Sequence, residues 1–119
     1  MAEHRRTPDR GNLFNAPFHA DKGEGFTDLL SLPGARIERI VSTGQATPPG
    51  EWLEQDWMEW VALLQGSAGL RIEGEATTRV LRPGDWLTLP AGTRHRVEWT
   101  DANAPTIWIA AHVGEPRKE

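Results

Sequence analysis

The chain has 119 residues, of which 38% are hydrophobic and 25% charged, with a formal net charge of -4 and no cysteine. That length suits one domain with a single core, and the composition excludes a disordered chain. No apolar run approaches the roughly 20 residues needed to span a bilayer, and the interspersed charges exclude the basic stripe of a nucleic-acid-binding surface. The absence of cysteine excludes disulfides and thiolate metal sites. The polar stretch from Met1 to Gly11 lacks the apolar core of a signal peptide, so we expect a cytoplasmic protein.

The chain divides into an N-terminal tail and arm, a β-barrel and a short C-terminal tail. Residues 1–35 form the tail and an apolar arm that packs on the barrel, with a short helical turn expected near 26–31. Residues 36–113 alternate short β-prone runs with Gly and Pro turns, which is typical of a sandwich or barrel, and residues 114–119 are polar. The expected strands are 36–42, 70–73, 77–81, 86–89, 95–99 and 106–112.

The segment 52–65 has two readings. Leu53, Trp57, Trp60 and Leu64 fall at helical spacing. The run 59–64, followed by Gln-Gly, equally suits a buried strand that ends in a turn. The local pattern leaves both open.

The stretch from Gly84 to His95 carries the most specific signal. It predicts a turn, a short strand, a second turn containing Pro90 and Gly92, and a strand that opens with His95. A side chain at the start of a barrel strand can point inward near the mouth. An imidazole there can bind a metal, shuttle a proton or hydrogen-bond a ligand.

This spacing resembles the second signature of the cupin family, G-x5-P-x-G-x2-H, and all four fixed residues up to the histidine are present. The asparagine that usually follows four positions later is replaced by Trp99. The first signature, G-x5-H-x-H-x3–4-E-x6-G, is kept at Gly50, Glu59 and Gly66, but its two histidine positions hold Leu53 and Gln55, or Trp52 and Glu54 with the longer spacer.

The resemblance implies an all-β, cupin-like jelly-roll barrel, with Glu59 on a strand rather than in a helix. It also implies a metal site in which Gln55, Glu59 and His95 stand where cupins usually have three His and one Glu. With two imidazoles lost, we expect at most a weakly bound divalent ion (Mn, Fe, Zn or Mg), with the harder Mn and Mg favoured. Without a metal, Glu59 and His95 can still act as a catalytic acid/base pair.

Other residues are placed by strand parity. Trp57 shares parity with Glu59 and Trp99 with His95, so both are expected to line an apolar ligand pocket, with core packing as the alternative. Asp56 has the opposite parity to Glu59 and is expected on a solvated loop edge. His112 lies on the last strand, where an inward ring could join the site, but a lone strand histidine is more often structural, so it is not counted among the site residues.

The sequence therefore predicts a small cupin that holds a small molecule inside the barrel, with any chemistry carried by His95 and Glu59. A non-catalytic sensor and a structural dimer with a vestigial site are the alternatives. A homodimer through the N-terminal arm is expected from the resemblance and from the arm's apolar residues.

Overall fold

The computed structural model describes residues 9–16 and 23–116. The described residues form eight strands and contain no helix, so no helix among them could cross a membrane. The strands are β1 (Gly25–Leu32), β2 (Ala35–Ser42), β3 (Met58–Gln65), β4 (Ala68–Ile72), β5 (Arg79–Leu81), β6 (Trp86–Leu89), β7 (His95–Thr100) and β8 (Thr106–Val113).

The strands form two antiparallel sheets that pack as a jelly-roll sandwich. One sheet has five strands in the order β1-β2-β8-β3-β6, and the other has three in the order β5-β4-β7. The apolar residues that alternate along each strand meet between the sheets. The buried cluster consists of Val61, Leu63, Ala68, Leu70, Leu81, Leu89 and Trp108.

The strands expected from the sequence are present, and the reading of 52–65 as a strand is correct from Met58 onward. The helical turn expected near 26–31 is wrong, because these residues form β1 and pair with β2 along its length. The β1 backbone pairs with its neighbour β2 in a hairpin that turns at Pro33 and Gly34. The expected arm therefore includes one strand of the large sheet.

The turn Pro90–Thr93 directs His95 into the sandwich. The Thr93 amide donates to the Pro90 carbonyl at 3.1 Å, and Gly92 has a φ of +82°, a conformation that favours glycine. The Gly92 amide also donates to the Gln55 carbonyl at 2.8 Å. This turn thus ties the loop before β3 to the start of β7.

Candidate functional site

A cavity of about 440 Å³ opens between the two sheets. Its walls are mainly apolar, and its polar groups come from β3, β7, β8 and the loops that precede β1 and β3. The cavity is lined by, among others, Glu24, Phe26, Glu54, Gln55, Trp57, Glu59, His95, Trp108 and His112. Pockets of this size and character hold small molecules.

His95 is buried, with 4% of its surface exposed, and its ring is held by one backbone group. Its Nδ1 lies 2.9 Å from the Thr93 carbonyl oxygen. A carbonyl oxygen only accepts, so the proton lies on Nδ1, and in the neutral ring Nε2 carries the lone pair. Two backbone hydrogen bonds with Leu53 fix the start of the strand. His95 is therefore held with a free nitrogen in the cavity.

Glu59 and Gln55 lie beside that nitrogen. The Glu59 Oε1 atom is 3.9 Å from His95 Nε2, beyond hydrogen-bond reach, and accepts a hydrogen bond of 2.5 Å from the Gln55 side-chain amide. Gln55 reaches Glu59 from the loop before β3 and not from the strand itself. The three side chains predicted from the sequence thus converge at one place.

The donors at this place do not form a metal centre as arranged. No group of three or more His, Cys, Asp and Glu side chains among residues 9–16 and 23–116 could hold a metal ion. Gln55 turns its N–H group, not its oxygen, toward Glu59. The arrangement offers one imidazole nitrogen and one carboxylate as ligands. These two ligands are too few to hold a divalent ion tightly.

A second histidine, His112, also lines the cavity, and both of its ring nitrogens are engaged. Trp57 Nε1 donates to its Nδ1 at 3.0 Å, and its Nε2 lies 3.1 Å from Glu38 Oε1. An indole nitrogen only donates, so Nδ1 is unprotonated and Nε2 donates to Glu38. His112 is therefore neutral in this arrangement and links the cavity wall to β2.

Glu38 connects this link to a group of charges at the edge of the sheet. Its Oε2 lies 3.1 Å from Arg36 Nη1, and Arg36 makes a two-pronged pair with Glu115. The hydrogen bond from His112 is the largest influence on Glu38 and lowers its pKa; burial opposes this and Arg36 reinforces it. Glu38 is therefore held as a carboxylate.

The two tryptophans expected in the pocket differ in position. Trp57 lines the cavity. Trp99 does not, and it is partly exposed on the other side of the small sheet. An irregularity between β4 and β7 pairs Leu70 with Val97 but Gly69 with Trp99. The extra residue, Glu98, reverses the parity after Val97, and the indole packs where a Gly69 side chain would stand.

Asp56 lies exposed on the loop, as expected, and His112 faces the cavity, which is one of the two placements that the sequence left open. The sequence contains no local signal for its function, because Glu38 lies 74 residues before it and Trp57 lies 55 residues before it. His4 and His19, for which the tail and arm of the sequence favour surface positions, lie outside the described residues.

Comparison with known proteins places the chain in a family. A model of the cupin domain matches residues 39–112. A crystal structure from Ralstonia eutropha JMP134, described as a candidate mannose-6-phosphate isomerase, is 49% identical with a TM-score of 0.87, covering 91% of this chain and 100% of that one.

Two more distant structures share the fold alone. A cupin superfamily protein of Desulfitobacterium hafniense DCB-2 is 16% identical with a TM-score of 0.65, covering 77% of this chain and 78% of its own. The DMSP lyase DddQ of Ruegeria pomeroyi DSS-3 is 19% identical with a TM-score of 0.68, covering 92% and 57%. No curated protein matches the chain. With a family match over more than half of its length, the chain belongs to the cupin domain family.

Proposed function

We propose that the cavity binds a small organic molecule with an apolar body and an uncharged or cationic polar end. The observation that carries this proposal is the charge of the lining: it includes three glutamates and no arginine or lysine among the described residues. The apolar body would lie against Phe26, Trp57 and Trp108. The polar end would meet Glu59 and His95, where a donor finds a carboxylate and an imidazole nitrogen.

The same lining opposes a phosphate ester. Glu54 is paired with Arg94, but Glu24 and Glu59 have no arginine or lysine partner among the described residues. Two like charges 4 Å apart repel by about 4 kcal/mol at the effective dielectric of a partly buried site. Such a penalty would weaken binding about a thousandfold. A sugar phosphate, the substrate that the name of the Ralstonia eutropha protein suggests, therefore suits this cavity poorly.

Calorimetric titration with three matched probes tests the proposal. Benzylamine, benzyl alcohol and benzoate share one apolar body and differ in the charge of the polar end. We expect the amine and the alcohol to bind, and benzoate and mannose 6-phosphate to bind at least tenfold more weakly. The preference against benzoate should shrink in Glu59→Gln and persist in Glu75→Gln, whose carboxylate is paired with Arg79 away from the cavity. Tight binding of mannose 6-phosphate would overturn the proposal.

A second candidate function is proton transfer on a bound carbonyl compound. It is favoured by the free nitrogen of His95 beside Glu59, two groups that can take a proton from one carbon and return it to the next. The 49% identity to a protein described as a candidate isomerase supports the same class of reaction. In that reaction the base would remove the proton next to the carbonyl, and the resulting enediol would be protonated at the neighbouring carbon.

Exchange of carbon-bound hydrogen in deuterium oxide tests this second function. Dihydroxyacetone incubated with wild-type protein should lose its carbon-bound proton signals, and His95→Gln and Glu59→Gln should each slow the loss at least a hundredfold. No exchange above the buffer rate with several hydroxyketones, in a protein that binds benzyl alcohol, would favour a non-catalytic binding module.

Three expectations from the sequence stay predictions. A weakly bound divalent ion would need the Gln55 amide to present its oxygen beside Glu59 and His95. Titration of wild type and His95→Ala with Mn, Fe and Zn tests it, and no binding at micromolar concentration would exclude it. The other two predictions are a cytoplasmic location and a homodimer through the N-terminal arm.

A further inference from the structure

Glu24, just before β1, places a second carboxylate in the cavity, besides that of Glu59. The Glu24 Oε2 atom accepts a hydrogen bond from the hydroxyl of Ser42, the last residue of β2. Ser42 is fully buried, and its oxygen in turn accepts a hydrogen bond of 3.1 Å from the Trp108 indole. The position of the Glu24 carboxylate is therefore fixed by a chain of two buried side chains.

These contacts leave one oxygen of Glu24 available to a ligand. The indole N–H only donates, so the single hydroxyl proton of Ser42 goes to Glu24 Oε2. Among residues 9–16 and 23–116, no group donates a hydrogen bond to Glu24 Oε1, and no arginine or lysine pairs with this carboxylate. A partly buried carboxylate without a cation favours a ligand that brings a cation or a hydrogen-bond donor.

The strand register places the two carboxylates at opposite ends of the cavity. Ser42, which holds Glu24, is paired with Thr106 on β8, whereas Glu59 is paired with His112 on the same strand. These two rows are six residues apart on β8, which corresponds to about 20 Å along the strand. Because both glutamate side chains extend into the cavity, the gap between their carboxylates is shorter, roughly 12–16 Å.

The cavity wall between these two ends is apolar. The intervening rows of the large sheet bring Ile40, Val61 and Trp108 to the cavity, and the small sheet adds Leu70 and Val97. A cation placed among these side chains would lose its hydration without gaining a partner. The cavity therefore offers a carboxylate at each end and an apolar span between them.

We propose that the ligand of this cavity is elongated and has two polar ends, an inference that rests on the proposed function. Each end carries a cation or a hydrogen-bond donor, and an apolar body separates the two. One end binds at Glu59 and His95, and the other binds at Glu24.

Aliphatic diamines are the simplest probes of this class, because their length sets the distance between the two cations. An extended chain advances roughly 1.2 Å per bond. The nitrogens of 1,10-diaminodecane are therefore about 13 Å apart, which matches the gap between the carboxylates. Those of 1,4-diaminobutane are about 6 Å apart, so this short diamine reaches only one carboxylate at a time.

Calorimetric titration of the full chain with matched diamines and monoamines tests this inference. The measured quantity is the ratio of the affinity of a diamine to that of the monoamine with the same number of carbons. For ten carbons we expect a ratio of at least tenfold, because the second cation meets Glu24 within the same complex. For four carbons we expect about twofold, since the short diamine gains only the choice between two identical ends.

Three variants locate the effect. Glu24→Gln should reduce the ten-carbon ratio to about twofold. Its amide oxygen can still accept from Ser42, so this variant removes the charge and keeps the anchoring contact. Glu59→Gln should reduce the ratio from the opposite end. Glu75→Gln is the matched control and should keep the ratio, because that carboxylate is paired with Arg79 away from the cavity.

The outcomes separate this inference from the function on which it rests. A ten-carbon ratio near twofold in wild type would overturn the two-ended ligand. So would a tenfold ratio that persists in Glu24→Gln, once near-ultraviolet circular dichroism shows that this variant is folded. If benzylamine still binds in either case, the proposed function stands with a single polar end. If neither benzylamine nor either diamine binds, the proposed function is overturned as well.

Discussion

The two histidines of the cavity are held in opposite ways. His95, at the start of β7, gives its Nδ1 proton to a backbone carbonyl and leaves Nε2 free beside Glu59. His112, near the end of β8, accepts from Trp57 at Nδ1 and donates to Glu38 at Nε2. One ring is fixed by a turn of the chain, and the other is fixed by two side chains from different elements.

This difference separates a group that can act from a group that positions others. A ligand or proton can reach His95 Nε2 without breaking any hydrogen bond of the protein. Protonating His112 would place a proton on Nδ1 facing the Trp57 N–H, so the bond to Trp57 would have to break. We therefore propose that His95 contacts the ligand and that His112 supports the Trp57 wall.

Replacing each histidine with phenylalanine should give the largest contrast between them. Both substitutions keep a ring and remove the nitrogens. His112→Phe leaves the Trp57 N–H and the Glu38 carboxylate without this partner, and we expect it to lower the free energy of unfolding by about 2–4 kcal/mol. His95→Phe leaves only the Thr93 carbonyl without a partner, and about 1 kcal/mol is expected.

Urea denaturation at pH 7 measures both changes in the free energy of unfolding. The affinity for benzyl alcohol should change in the reverse order, because His95→Phe should lose more affinity than His112→Phe. The assignment of roles is wrong if His95→Phe destabilises the fold more than His112→Phe does and weakens the binding of benzyl alcohol less.

The sequence predicts the position of His95 and its neighbours better than it predicts the contacts of His112. The turns around Pro90 and Gly92 are local, so they place His95 from sequence alone. The convergence of Gln55 and Glu59 with it follows from family spacing. His112 depends on partners far away in the chain, which no local pattern reveals. Trp99 was expected in the pocket and lies outside it, because one extra residue in β7 reverses the parity on which the expectation rested.

The same distinction explains what the sequence reveals of the fold. Strands β2 and β4 to β8 have clear turn signals and β-prone residues and were expected from the local pattern, whereas β3 was expected only from the family resemblance. β1 was not expected, because its residues are exposed and its conformation depends on pairing with β2.

The hydrogen bond between His112 and Glu38 should make the stability of the fold depend on pH. The folded pKa of Glu38 lies below its usual 4.5, chiefly because His112 donates to the carboxylate. A lowered pKa stabilises the fold above the unfolded value, and that stabilisation is lost as pH falls through the folded value. Glu38→Gln should therefore be less stable than wild type by about 1–2 kcal/mol at pH 7, with a difference that shrinks below pH 4.5.

Unfolding free energies at pH 7, 5, 4 and 3 measure this difference. Glu73→Gln is a suitable control because Glu73 pairs with Arg94 at the exposed surface, where ion pairs contribute little, so its difference from wild type should stay small at every pH. A Glu38→Gln difference that stays constant with pH would show that the carboxylate charge contributes nothing to the link.

The finest test is the position of one proton on each ring. Nitrogen-15 NMR of the neutral histidines should find the proton of His95 on Nδ1 and that of His112 on Nε2. Trp57→Phe removes the donor to His112 at a cost of about 0.5–1.5 kcal/mol, and Nδ1 of His112 then becomes free to carry a proton in part of the population. His95 should keep its tautomer in that variant, because its partner is the Thr93 carbonyl. If His112 carries its proton on Nδ1 in wild type, Trp57 cannot be donating to it, and the link from the cavity wall to Glu38 does not exist in solution.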